Sequence, residues 1–217
     1  MPRHPVTTDT TAPRPVPPSA DVVFGPALSV AIRFAGLLAT RGLEQGLIGP
    51  REVPRLWDRH LLNCAVVAEL VGGRCRTLVD IGSGAGLPGL VLAMVLPDVA
   101  VTLLEPMDRR CRFLAGCVTE LKLANVTVLR ARAEEAAIKA DVATARAVAP
   151  LPRLAELAVG VVRPGGMVLA IKGRTAVQEL ADAEPVLRRI GARSAEVVQA
   201  GHGKVVPATT VVRFFAR

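Results

Sequence analysis

Four glycines, Gly82, Gly84, Gly86 and Gly89, crowd into eight positions directly after Asp80 and an apolar run. Residues without a side chain let a backbone come close to a ligand and take up left-handed conformations. The stretch contains GAGLPG, which fits the G-x-G-x-x-G dinucleotide pattern, and DIGSGAG, which reads as a loop for a methyl donor. The first pattern points to hydride transfer and the second to methyl transfer. Asp80 stands where a carboxylate can accept from a cofactor's amino group or hold the loop's amides. Glu105, two dozen residues on, ends the next apolar run, where an acid takes a ribose diol in either class of enzyme.

These residues need a sheet to position them, and the chain supplies one. RTLVDI (76–81), VAVTLLE (99–105), NVTVLRA (125–131), DVATARAV (141–148) and GMVLAIKG (166–173) read as buried strands. Helical patterns separate them at 88–96, 107–123 and 151–162, with a short helix expected at EEAAIKA. Another helix follows from Ala176 and is interrupted by Pro185. Such alternation predicts βαβ units in a parallel sheet. SAEVVQA and TTVVRFFAR close the chain without a helix between them, so the last strand should be antiparallel. Upstream, Pro26 opens a helical pattern over 26–48, and a second starts near Pro54 and carries Trp57, His60 and Leu61. The expected organisation is a disordered proline-rich tail (1–22), an N-terminal helical extension (23–75) and a cofactor-binding α/β domain (76–217).

In an open α/β sheet the ligand lies at the carboxyl ends of the strands, which puts the glycine loop at the cofactor. The start of the helix after it favours a negative group. The length of the chain then separates the two chemistries. After five strands it closes with a helix and a hairpin, leaving neither a second mononucleotide half nor a substrate domain for a nicotinamide enzyme. RPGGMVLAI (163–171), a Pro-Gly-Gly turn into the fifth strand, is usual in the methyltransferase sheet.

The 217 residues carry a net charge of +8, with 27 Lys and Arg of which only four are lysine. The excess is spread over the chain, and nucleic acid is the natural partner for it. The longest apolar runs, such as GLVLAMVL at 89–96, fall well short of the ~20 residues of a membrane span. The six prolines of residues 1–20 come with no apolar core of a signal peptide, so the cytoplasm is the expected location. Cys64, Cys75, Cys111 and Cys117 form no C-x-x-C pair, and His4, His60 and His202 have no ligand spacing. Reduced thiols and no metal are expected.

The acceptor is narrowed by what is missing. Pyrimidine C5 methylation needs a cysteine nucleophile, and no cysteine follows the fourth strand. Exocyclic amine methylation typically uses an Asn/Asp-Pro-Pro-aromatic loop at that strand end. The place holds ARAVAPL (145–151), without Asn, Asp or an aromatic residue. That pattern favours a target that is already nucleophilic and has no proton to lose, such as guanine N7. No catalytic acid or base is then required, and catalysis is in-line positioning in a dry pocket.

With those residues in view, the chain resembles the glucose-inhibited division protein B family, guanine-N7 methyltransferases of small-subunit ribosomal RNA. The matching segments are DIGSGAGLPGL (80–90), LLEPMDRRCRFL (103–114), L-x-L-x-N-V from Leu121 to Val126, RAEE (132–135), ARAVAPL (145–151) and AIKG (170–173). The resemblance implies a class I methyltransferase Rossmann-like fold. Its sheet would have seven mostly parallel strands and an antiparallel C-terminal strand. It implies S-adenosyl-L-methionine contacts at Gly82, Leu87, Ala133, Glu134 and Arg146, to which the reading of the glycine loop and the strand-end acid adds Gly84, Gly86 and Glu105. It implies methylation of one guanine in the 530 loop of 16S rRNA, within the small subunit, and altered streptomycin sensitivity on loss. His60, Arg146 and Lys172 are the candidate substrate residues. His60 also reads as a packing histidine, Lys172 as a solvated strand-end lysine, and Arg146 as a partner of Glu134 or Glu135. RHLLNC (59–64) departs from the family by placing Asn63 and Cys64 where Asp and Ser are usual. Monomer is the default. The rival readings are a small-molecule or protein methyltransferase, a non-catalytic ribosome-assembly factor and, more distantly, a nicotinamide oxidoreductase.

Overall fold

Seven strands form one sheet in the order β3-β2-β1-β4-β5-β7-β6. They are β1 (Thr77–Ile81), β2 (Ala100–Leu104), β3 (Val126–Leu129), β4 (Ala140–Arg146), β5 (Val162–Ile171), β6 (Arg193–Ala200) and β7 (Thr209–Phe215). β1 to β5 run parallel, and β7 inserts antiparallel between β5 and β6, as the missing crossover helix requires. Strand order reverses beside β1, whose neighbours are β2 and β4, so the crevice outside its carboxyl end is the expected binding place. The computed structural model describes residues 13–217.

The helices are α1 (Pro18–Phe24), α2 (Leu28–Leu37), α3 (Leu62–Ala65), α4 (Gly89–Val95), α5 (Asp108–Leu121), α6 (Leu151–Val161) and α7 (Ala176–Arg189). Two apolar clusters lie on the two sides of the sheet. One joins α4, α5 and the whole N-terminal extension to β1 and β2, and the other joins α6 and α7 to β4, β5 and β7. The extension thus shares a core with the sheet.

Three expectations need correction. The first twelve residues of the tail, with His4, lie outside the described residues, but the tail does not reach position 22. Pro18 occupies a first-turn helix position, where the missing N–H costs nothing. Ala20 and Phe24 of that helix are buried, and Phe24 meets Trp57 edge to face at 6.1 Å between ring centroids. EEAAIKA forms a turn followed by irregular chain rather than a helix. Only ten residues separate β3 from β4, so little chain is left for one. α7 runs through Pro185 unbroken. Pro185 and Ala181 both face solvent, where water can satisfy the carbonyl that the proline frees.

The run Pro18–Gly42 is long and apolar enough, by length and composition, to cross a membrane, with a mean hydropathy of 1.9. It is instead built into the protein. Phe34, Leu37 and Leu38 are buried, and Arg33 and Arg41 both reach Glu120 of α5.

Candidate active site

The turn after β1 is shaped by its own backbone. The Gly82 N–H donates to the Leu104 carbonyl (2.7 Å), the Gly86 N–H to the Ser83 carbonyl (2.7 Å), and the Ser83 hydroxyl to the Asp80 carbonyl (3.0 Å). Gly82, Gly84 and Gly86 all have positive φ, at 65°, 55° and 88°. Asp80 is fully buried, and its Oδ2 accepts from the Gly89 N–H at 3.0 Å. Of its two expected roles it therefore takes the loop-holding one. It also fills the start of α4, so that terminus already faces the protein's own carboxyl group. Burial pushes the Asp80 carboxyl up to about 7.

Glu105 lies just beyond β2 with 1% exposure. Its Oε2 accepts from the Gly84 N–H and its Oε1 from the Met107 N–H, both at 3.0 Å. Its carboxylate therefore ties the loops after β1 and β2 together and stays on the wall of a cleft of about 300 Å³. That cleft is also lined by Gly82, Ala133, Glu134, Val148 and Leu157. A second cavity of about 270 Å³ touches Gly84, Leu87, Arg110, His60 and Arg146. A third, of about 800 Å³, is lined by Arg59, His60, Asn63, Arg146, Lys172 and Glu179. Ala147 lines all three, at φ 55°, a left-handed conformation that costs a residue with a Cβ roughly 1–2 kcal/mol. Gly82 lines the first two, and a Cβ there would come within 2.8 Å of Val148 Cγ2 on the wall of the first.

The sequence-derived set therefore divides. Gly82, Glu105, Ala133 and Glu134 share the first cleft, Gly84 and Leu87 the second, and His60, Arg146 and Lys172 the third. Gly86 lies outside these walls and serves the turn, since a Cβ there would meet Leu90 Cδ1 at 2.4 Å. Glu134 is ion-paired to Arg153, so it leaves Arg146 free. Arg146 has no carboxylate partner among the described residues and donates only to the Arg59 carbonyl, at 3.4 Å. Lys172 is already engaged by Glu179 (2.8 Å) and by the Ala149 carbonyl (3.2 Å). Sequence reasoning missed Glu52, Arg110 and Ala147.

His60 sits in a π-helical turn, Leu56–Leu61, of the kind that often marks functional positions. Its Nε2 lies 2.7 Å from Glu52 Oε2, and its Nδ1 is buried without a partner. Burial, and next the charge of Arg146, push its pKa down to about 4. Burial pushes Glu52 up, but the bond to His60 and the charge of Arg59 outweigh it and the net shift is downward. The ion pair with Lys172 lowers Glu179. His60 and Glu179 of the large cavity, and Glu52 beside His60, are thus poor proton acceptors near neutral pH.

A stability prediction follows for His60. With an ordinary pKa of 6.5 and a folded value of about 4, the unfolded chain binds the proton first. His60 therefore takes stability away as pH falls from about 6.5 to 4. Asp80, raised from 3.8 to about 7, acts in the opposite sense over nearly the same range. Thermal melts of wild type and His60→Phe between pH 7.5 and 4, as chosen test limits, should therefore diverge. The variant should gain relative to wild type as pH falls, and a pH-independent difference would refute the assignment.

The family model described as rRNA small subunit methyltransferase G (GidB) matches residues 28–205. The chain belongs to this family. A relative from Thermobifida fusca (strain YX), named ribosomal RNA small subunit methyltransferase G, is 56% identical over 197 residues, 90% of this chain and 83% of the relative. The match to the GidB family runs from α2 through the glycine loop and β6, so it includes the walls of all three cavities. Solved structures share the fold. A SAM-dependent methyltransferase from Aquifex aeolicus superposes with a TM-score of 0.56 and 22% identity, covering 78% of this chain and all of that one. The N-methyltransferase NodS from Bradyrhizobium japonicum WM9, in complex with S-adenosyl-L-homocysteine, gives 0.55 and 16% identity, covering 81% and 97%. The GidB-family chain thus has the class I methyltransferase architecture that its family resemblance implies.

Proposed function

We propose that this chain transfers the methyl group of S-adenosyl-L-methionine to N7 of one guanine in the 530 loop of 16S rRNA, on the small ribosomal subunit. Family membership supports the reaction class and the rRNA acceptor. The observation that carries the chemistry is the junction of the three cavities at Ala147, where the large one shares His60 and Arg146 with the glycine-loop cavity.

The residues present fit the methyl donor. The first cleft pairs apolar walls (Ile81, Leu104, Val148, Leu157) with one buried acid, Glu105, which suits a base and its ribose diol. The second exposes loop backbone beside Arg110 and Arg146, which suits a carboxylate. Gly82, Leu87, Ala133 and Glu134 complete the proposed grip. Bound there, S-adenosyl-L-methionine supplies a methyl group made electrophilic by the adjacent sulfonium. Among the described residues no group of three or more His, Cys, Asp or Glu is placed to hold a metal.

The chain's own task is then positioning. N7 of guanine carries a free lone pair at neutral pH, so no proton has to leave it. That requirement matches the low pKa values of His60, Glu52 and Glu179 around the large cavity. Arg146, half-buried and without a carboxylate, offers N–H donors where a purine oxygen or a phosphate can accept. His60 and Asn63 border the same space. Orientation and exclusion of water supply the rate. The reading places the work in the cytoplasm, by a monomer.

Purified protein with labelled S-adenosyl-L-methionine tests this against naked 16S rRNA and small subunits from cells lacking the gene. Label at one N7-methylguanine of the 530 loop is the expected result. Label on another atom or another RNA would replace the acceptor, and no transfer to either substrate would refute it. Arg146→Ala should lower kcat/KM by about 10- to 100-fold, the size of one lost charged hydrogen bond.

A further inference from the structure

The chain's positive charge is not evenly available. Along the helical flanks most arginines are matched to acids, Arg109 of α5 being an exposed exception. Arg112 and Arg130 hold Asp108, Arg153 and Arg189 hold Glu156, and Arg188 holds Glu184. Around the glycine-loop cavity and the large cavity, which share His60 and Arg146, the pattern reverses. Arg51 and Arg55 are exposed and have no ion pair among the described residues. They flank Glu52, a wall residue of the glycine-loop cavity. Arg174 is exposed and equally unpaired, and it follows Gly173 on the wall of the large cavity. The acids beside these three are already spent. Glu52 is held by Arg59 and His60, Asp58 by Arg14, and Glu179 by Lys172.

We infer that Arg51, Arg55 and Arg174 form the rim on which the RNA backbone docks, their guanidinium groups taking phosphates on either side of the cavity that receives the base. The inference rests on the rRNA reading above and adds the surface by which the substrate is held. Guanidinium is suited to the task because its donors form a rigid fork that matches phosphate geometry. Aromatic stacking is not the alternative here, since the chain has no tyrosine and one tryptophan, Trp57, which is buried. The rim therefore contributes affinity through charge, and the cavity contributes the choice of base.

The opposite end of the sheet provides a matched control. Arg74, Arg76 and Arg193 are exposed, and their guanidinium groups have no ion pair among the described residues. They stand at the starts of β1 and β6, away from the carboxyl ends of the parallel strands. Neutralising either trio by Arg→Gln lowers the net charge of +8 by the same three units. Only the location of the loss differs.

The experiment measures binding to a 16S rRNA transcript and to small subunits over a range of salt, with S-adenosyl-L-homocysteine affinity followed separately. Each phosphate contact removed should flatten the slope of log K against log salt by about 0.7 to 0.9. The R51Q/R55Q/R174Q protein should lose roughly 2 units of slope on whichever substrate wild type methylates. The R74Q/R76Q/R193Q protein should keep it, and both should bind S-adenosyl-L-homocysteine as wild type does. Equal losses from the two trios would mean that only net charge matters and would overturn the rim. An unchanged slope in the first trio would overturn it as well. If wild type shows no salt-dependent binding to either substrate, the rRNA reading itself fails and the rim falls with it.

Discussion

Glu105→Ala should reduce affinity for S-adenosyl-L-homocysteine by about 100- to 20,000-fold while the sheet stays folded. The estimate comes from what the carboxylate does. It is 1% exposed, it accepts from Gly84 and Met107, and it lines the cleft of about 300 Å³. Charged hydrogen bonds to two ribose hydroxyls are worth about 1.5–3 kcal/mol each, and one factor of ten is about 1.4 kcal/mol. The substitution also frees two amides, so the loops after β1 and β2 lose their tie and the cleft loosens. Glu105→Gln retains one acceptor oxygen and the side-chain length, so it should lose only about 10-fold. Isothermal titration with S-adenosyl-L-homocysteine reads this without any turnover. Equal affinity in wild type and Glu105→Ala would remove Glu105 from the cofactor site and leave it a loop tie alone.

Glu105 was legible in the sequence for a simple reason. A strand pattern followed by an acid at its carboxyl end fixes both the position of the residue and the space it faces. The same logic covered Asp80, the glycines and Arg146, each of which lies within two residues of a strand end or on the turn that follows it. Even the antiparallel last strand could be read, because a parallel return needs a crossover that the loop between Ala200 and Thr209 cannot hold.

What could not be read depends on contacts between distant segments or on local backbone irregularity. The partner of Lys172 is Glu179, on the next helix, and a strand-end lysine gives no sign of it. The sequence offers Glu134 and Glu135 as partners for Arg146, but Arg153, nineteen residues beyond Glu134, holds that carboxylate. His60 meets Glu52 across a 3₁₀ segment (Pro50–Arg55) and a π turn, so a regular 3.6-residue period does not predict the pair. Ala147 is the sharpest case. Nothing marks an alanine as a left-handed residue, yet its backbone is where the three cavities meet.

Gly89→Ala should cost about 2–4 kcal/mol of stability. Gly89 begins α4 at ordinary backbone angles, so its requirement is space and not conformation. A Cβ there would lie 2.3 Å from Leu103 Cδ2 and 2.6 Å from Asp80 Oδ2. Leu103 and Asp80 are fully buried on adjacent strands, so neither can swing aside. Overpacking of this kind costs roughly 1–3 kcal/mol, and displacing Asp80 from the Gly89 amide adds a lost buried hydrogen bond of about 1 kcal/mol. For a chain of this size that corresponds to a fall in Tm of very roughly 4–16 °C. Two other glycines set the scale. Gly36 is exposed on α2 with nothing within 4 Å of its would-be Cβ, so Gly36→Ala should be neutral or stabilising by up to about 1 kcal/mol. Gly84 has open space but a φ of 55°, so Gly84→Ala should cost about 1–2 kcal/mol through backbone strain alone. Differential scanning calorimetry on the three variants checks the ordering. If Gly89→Ala melts with Gly84→Ala, then Leu103 and the Asp80 carboxyl can move, and the rigid seat assigned to the loop between β1 and α4 is wrong.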